Sequence, residues 1–125
     1  MTVSITSLKP ILQNAACEIR FIRRRPVPGR PMSRRMLCTN SNTILNSIDG
    51  RITLNFKPST KGPRYDPNQK NLVIAWDILM QDYRAISCDN CDLIATIPAG
   101  EAFWTYFKNN LIKMSTQQKM MFMDS

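Results

Sequence analysis

The chain has 125 residues, of which 43% are hydrophobic, with no histidine and a formal net charge of +8. That size and apolar content suit one folded domain and exclude wholesale disorder. The missing histidine removes the commonest general base and the commonest metal ligand. The charge is uneven. Residues 1–61 hold eleven Lys/Arg against Glu18 and Asp49, whereas residues 62–125 hold six against seven acids. A basic half joined to a near-neutral half predicts one charged surface.

In chain order, residues 3–13 mix β-branched residues with Ser, Thr and Pro10, which predicts a short strand or an ordered arm. From Ala16 to Ile22 the alternation places Cys17, Ile19 and Phe21 on one strand face and Glu18, Arg20 and Ile22 on the other. The stretch from Arg20 to Arg35 then holds seven arginines and no acid. Pro26, Pro28, Gly29 and Pro31 oppose helix and central strand, so a stiff loop is expected. A strand resumes at Met36–Thr39.

The run T-I-L-N-S-I-D-G-R-I-T-L-N-F, residues 43–56, reads as a hairpin with Asp49-Gly50 as its two-residue turn. Ile52, Leu54 and Phe56 would then share a core face. Lys57–Asn71, with three prolines and one glycine, reads as a long basic surface loop. Leu72–Leu79 reads as a buried strand. Arg84–Cys88 and Cys91–Ile97 bracket Asp89-Asn90 as a second hairpin. Phe103, Phe107, Leu111 and Met114 fall on one helix face, and Ser115-Thr116-Gln117-Gln118 fits a capping box opening a further short helix.

The expected fold is a single α+β domain over residues 1–125: a small antiparallel sheet built from hairpins and packed by a C-terminal helix. Strands in 16–39 flank the basic loop, 43–97 form a β-rich core, and 100–123 form the helical segment.

Arginine's planar fork matches phosphate geometry, so the loop indicates a polyanionic partner, RNA foremost. Arg20, Arg23, Arg24, Arg25, Arg30, Arg34 and Arg35 are the candidate phosphate contacts. Lys61 and Arg64 extend them, and Tyr65 is a candidate for base stacking. Phe21 is assigned to the core. Cys17, Cys38, Cys88 and Cys91 contain one close pair only, so structural thiols are expected instead of a zinc site. Asp77, Asp82, Asp89 and Asp92 match no calcium loop. No nucleophile elbow or phosphate-cradling glycine loop occurs. Neither catalysis nor a cofactor is expected.

No apolar run approaches the ~20 residues of a spanning helix, and the N-terminal residues carry no secretory signature. A cytoplasmic or nuclear setting is expected. The arginine loop, the many methionines and the absence of an enzyme motif resemble small proteins of RNA viruses, which implies genome packaging or sequestration of host RNA. The rival expectations are a matrix-like assembly protein on anionic membrane and a nuclear-targeted adaptor acting through protein contacts. Met120, Met121, Phe122 and Met123 give a soft apolar segment expected to support a homodimer or higher oligomer.

Overall fold

The computed structural model describes residues 4–23, 25–57 and 71–124. Five antiparallel strands form one sheet: β1 (Ala15–Ile22), β2 (Ser33–Thr39), β3 (Leu72–Asp77), β4 (Asp82–Ser87) and β5 (Cys91–Pro98). Their order is β4-β3-β2-β1-β5. Two hairpins, β1–β2 and β3–β4, supply four of these strands. The helices are α1 (Ile5–Asn14), α2 (Asn42–Leu45), α3 (Ile48–Thr53), α4 (Glu101–Tyr106) and α5 (Thr116–Asp124), with a π-turn at Phe107–Leu111 after α4. The class is α+β.

The sheet is curled, and chain connectivity forces the curl. β4 and β5 are the two edge strands, yet only Cys88–Asn90 joins them. Four strand spacings in a flat sheet amount to about 19 Å. The link from Ser87 to Cys91 reaches at most about 14 Å. The bend falls between β2 and β3, which share only the pairs Cys38–Asp77 and Thr39–Trp76.

The curl creates two unlike layers. Inside it, Cys17, Ile19 and Phe21 of β1 meet Met36 and Cys38 of β2, Val73 and Ala75 of β3, and Ile86 of β4, with Leu8 and Leu12 of α1 as the plug. Outside it, Ala16, Leu37 and Trp76 pack beneath Ile44, Leu45, Leu54, Phe56, Phe103 and Phe107. Burying these apolar side chains is the main driving force for the arrangement. The strand faces expected for β1 are the observed ones.

Three local expectations are corrected. Residues 43–56 hold two short helices, α2 and α3, not a hairpin: Ser47 caps α3 by accepting from the Gly50 N–H at 2.9 Å. Gly50 sits inside that helix because a Cβ there would lie 2.0 Å from the Ile44 carbonyl oxygen. Its glycine serves close approach of α2 and α3, not a turn. Leu54 and Phe56 are buried, but Ile52 is 76% exposed, so the shared face does not form. The described β-rich core is therefore 15–39 with 72–98.

Residues 5–14 are a helix, not a strand or arm. Ser4 caps it through the Ser7 N–H, and Leu8, Ile11 and Leu12 supply helical periodicity against the inner layer. Asp89-Asn90 is not a hairpin turn either, because β4 and β5 do not pair with each other. The Ser115 capping box does form, with Gln118 N–H donating to Ser115 Oγ at 3.2 Å and Ser115 N–H donating to Gln118 Oε1 at 2.8 Å. The expected face of Phe103, Phe107, Leu111 and Met114 packs into the outer layer. Among the described residues no helix is long and apolar enough to cross a membrane.

Candidate functional site

The described part of the β1–β2 connection is irregular, as its prolines predict, and holds a tight turn. Arg30 N–H donates to the Val27 carbonyl at 3.0 Å, with Pro28 and Gly29 between them and Gly29 at φ 75°. Proline then positive-φ glycine is the pattern of a type II turn. Nearer the sheet, Arg23 N–H donates to the Met32 carbonyl at 2.7 Å, and Arg23 Nε donates to the Pro31 carbonyl at 3.0 Å. The backbone thus fixes where the guanidinium groups start.

The strand pleat decides where they end. Arg34 shares its face of β2 with Met36 and Cys38, the inner one, and stands opposite Phe21. Arg84 shares its face of β4 with Ile86, again the inner one. Arg23 lies two residues beyond Phe21. Together with Arg25, Phe21 and Ala85, these arginines line a cavity of about 150 Å³. One end of the inner layer is apolar, and the other is capped by arginines.

Acids from the second half of the chain fold back onto this group. Arg34 is 8% exposed and donates through Nη2 to Asp77, itself 1% exposed. Burial pushes the Asp77 carboxyl up, and Arg34 together with the Met80 N–H pulls it back. Burial likewise lowers the Arg34 guanidinium, and Arg84 and Arg23 add to that from nearby, opposed by Asp77. Arg34 remains a cation, because guanidinium does not deprotonate in proteins. Arg84 Nη1 donates to Asp82 Oδ2 at 2.9 Å, which holds the Asp82 carboxyl below its ordinary range.

Arg30 grips Asp124 of α5 with both prongs at 2.7 Å, and Arg23 Nη2 stands 3.5 Å from the same carboxylate. Five guanidinium groups therefore meet three carboxylates at this end of the molecule. Two donors stay unused: Arg34 Nε and Arg23 Nη2 are buried and make no hydrogen bond. A buried unsatisfied donor costs roughly 1–3 kcal/mol.

Arg25 is exposed at the cavity rim, whereas the other expected contacts scatter. Arg35 points to the outer face, donating from Nε to Glu18 Oε1 at 2.8 Å and lying 4.7 Å from the Phe122 ring centroid. Arg20 is exposed on β1. Arg24, Lys61, Arg64 and Tyr65 lie outside the described residues. Phe21 is core, 5% exposed, with the Arg34 guanidinium 5.9 Å from its ring centroid. Sequence reading missed Arg84, Asp82, Asp77 and Asp124 as members of the site. The signal available for Arg84 was its two-residue offset from Ile86, but the partner strand was not legible.

The four cysteines are free and buried in the inner layer. Burial pushes Cys17 to about 11 and Cys91 to about 12, and raises Cys38 and Cys88 as well. Such thiols are protonated at neutral pH and poor nucleophiles. Among the described residues no group of three His, Cys, Asp or Glu is placed to hold a metal ion. A cavity of about 530 Å³ lies on the outer side between Tyr106, Met114, Met121 and Phe122. Met121 is 65% exposed, whereas Met123 is buried, so the apolar segment is split between core and surface.

No family model, curated protein or solved structure matches this chain. The functional reading therefore stands on the site itself.

Proposed function

We propose that this protein binds polyanions without catalysis, with RNA as the preferred partner, through the arginine-bearing end of its curled sheet. The observation that carries the reading is the convergence of Arg23, Arg25, Arg30, Arg34 and Arg84 from one loop and two strands, against Asp77, Asp82 and Asp124 among the described residues. A preorganised positive surplus attracts phosphates and pays little ordering entropy on binding. Exposed Arg20 and Arg25 extend the surface along the backbone of the partner. Contacts of this kind position the protein and do not read sequence.

The test is binding of nucleic-acid-free protein to single-stranded RNA, duplex RNA and anionic vesicles across a salt series. Tight RNA binding with a steep salt slope and weak vesicle binding is expected. Replacing Arg20 and Arg25 by alanine should reduce the logarithmic slope by about 1.4, at ~0.7 per phosphate lost on a single strand. An unchanged slope would place the contact surface elsewhere.

A further inference from the structure

We infer that the cavity between Arg23, Arg25, Arg34 and Arg84 is a binding site for a single phosphate group. The inference deepens the proposed function, on which it rests for the source of that phosphate.

Four observations converge. Among the described residues the cavity's polar side chains are all arginines, beside Phe21 and Ala85, so they offer hydrogen-bond donors and no side-chain acceptor. Arg34 and Arg23 both line it; Arg34, nine-tenths buried, keeps an Nε that makes no hydrogen bond, and the buried Arg23 Nη2 makes none either, standing 3.5 Å from Asp124. These donors are deprived of water already, so an anion that accepts from them recovers hydrogen bonds that the fold leaves unmade. The nearby carboxylates neutralise these cations only in part: Asp77 accepts from Arg34 Nη2 and the Met80 N–H, Asp82 from Arg84 and the Tyr83 N–H, and Asp124, gripped by Arg30, stands 3.5 Å from Arg23 Nη2.

Geometry selects the anion. Guanidinium groups that approach from β2, β4 and the loop between β1 and β2 require acceptor oxygens pointing in several directions. A tetrahedral phosphate offers them, whereas one arginine fork already matches the two oxygens of a planar carboxylate. Volume agrees. A cavity near 150 Å³ accommodates a benzene-sized group in an apolar setting, which is the scale of one phosphate and too small for a nucleoside. Electrostatic focusing by the low-dielectric Phe21 side strengthens the attraction.

The experiment titrates inorganic phosphate into the full chain in low-chloride buffer, following arginine Nε–Hε resonances by NMR and heat by calorimetry. A saturable shift of the Arg34 Nε–Hε signal is expected. Arg84→Gln and, separately, Arg25→Gln should each weaken phosphate binding about tenfold, with Arg84→Lys intermediate because charge survives and the fork does not. Arg51→Gln, an exposed arginine on α3, should change nothing. Both cavity variants alter partly exposed or exposed side chains, and an unchanged melting temperature certifies their fold.

A second arm compares RNA carrying a 5′-phosphate with the same strand ending in a 5′-hydroxyl. Preference for the phosphorylated end, abolished by Arg84→Gln, identifies the group as a terminal monoester. Equal binding of both strands, weakened alike by Arg84→Gln, identifies it as a backbone diester. Phosphate binding without RNA binding upholds the cavity and overturns the RNA reading. No saturable shift, or an Arg84→Gln variant that behaves like Arg51→Gln, overturns the cavity even if RNA binds.

Discussion

Arg34 and Arg35 are neighbours on β2, yet the pleat sends them to opposite faces of the sheet, and the two faces use a guanidinium differently. On the outer face Arg35 is enclosed by Glu18 and stacked on Phe122, so it fastens α5 to the sheet. On the inner face Arg34 meets one carboxylate, Asp77, and two further arginines, Arg23 and Arg84, and keeps a donor unused. The outer cation is consumed by structure. The inner one is held, at a cost in desolvation, where it faces a cavity. Charge counted along the sequence does not distinguish the two; the face does.

Removing one side of the buried pair should break this contrast most severely. Arg34→Ala strands the Asp77 carboxylate and is expected to cost about 3–5 kcal/mol in urea unfolding. A loss as small as that of a surface substitution would mean that Asp77 finds water. Inner-layer thiols come next. With Cys17 raised from 9.0 to about 11, its thiolate fraction at pH 8 is about a hundredfold below that of the unfolded chain. Iodoacetamide should therefore label it in urea and spare it in the native protein. Rapid native labelling would show that the inner layer is open.

The outer layer depends on close helix packing, and Gly50→Ala tests it. The added Cβ meets backbone oxygens of Ile44 and Leu45, which cannot move cheaply, so a loss of about 1–3 kcal/mol in thermal or urea unfolding is expected. Glu18→Gln should cost about 1 kcal/mol, more at low salt than at high salt, because its pair with Arg35 is partly exposed. Equal stability at both salt concentrations would remove electrostatics from the outer fastening.

Asp124→Asn should affect stability least, but it sharpens the comparison by releasing the loop from α5. The hydrogen bond from Arg30 holds the Asp124 carboxyl below 3.8. A depressed carboxylate contributes to the fold above its unfolded value, and that contribution is lost as pH falls through the folded one. The Arg30 Nε–Hε resonance of the wild type should thus be constant near neutrality and move only in acid. The asparagine variant should show the altered position already at pH 7, and an unaltered one would dissolve the pairing.

Local pattern was a good guide where one residue's own chemistry limits the backbone. Proline, glycine and arginine between Arg20 and Arg35 declared a cationic loop, and its turn forms because Pro28 and Gly29 supply one on their own. Period-two alternation in β1 and the Ser115 capping box were legible for the same reason: each is a short-range rule. Asp49-Gly50 defeated that reasoning. The dipeptide suits a hairpin in isolation, but its glycine is required by the backbone of α2, a neighbour that no short window displays.

The sequence alone determined that arginines concentrate between Arg20 and Arg35 and that strands flank the proline-rich middle of that stretch; Arg20 belongs to β1 and Arg34 and Arg35 to β2, not to the loop. Only the tertiary structure decided which arginines converge. Asp77 and Asp124 are distant in sequence from the cations that they partly neutralise, and Arg84, with its neighbour Asp82, enters because a three-residue link curls one sheet edge toward the other. Side-chain direction is written in the pleat, but partnership is set by register and curl, which arise from long-range pairing across the whole sheet.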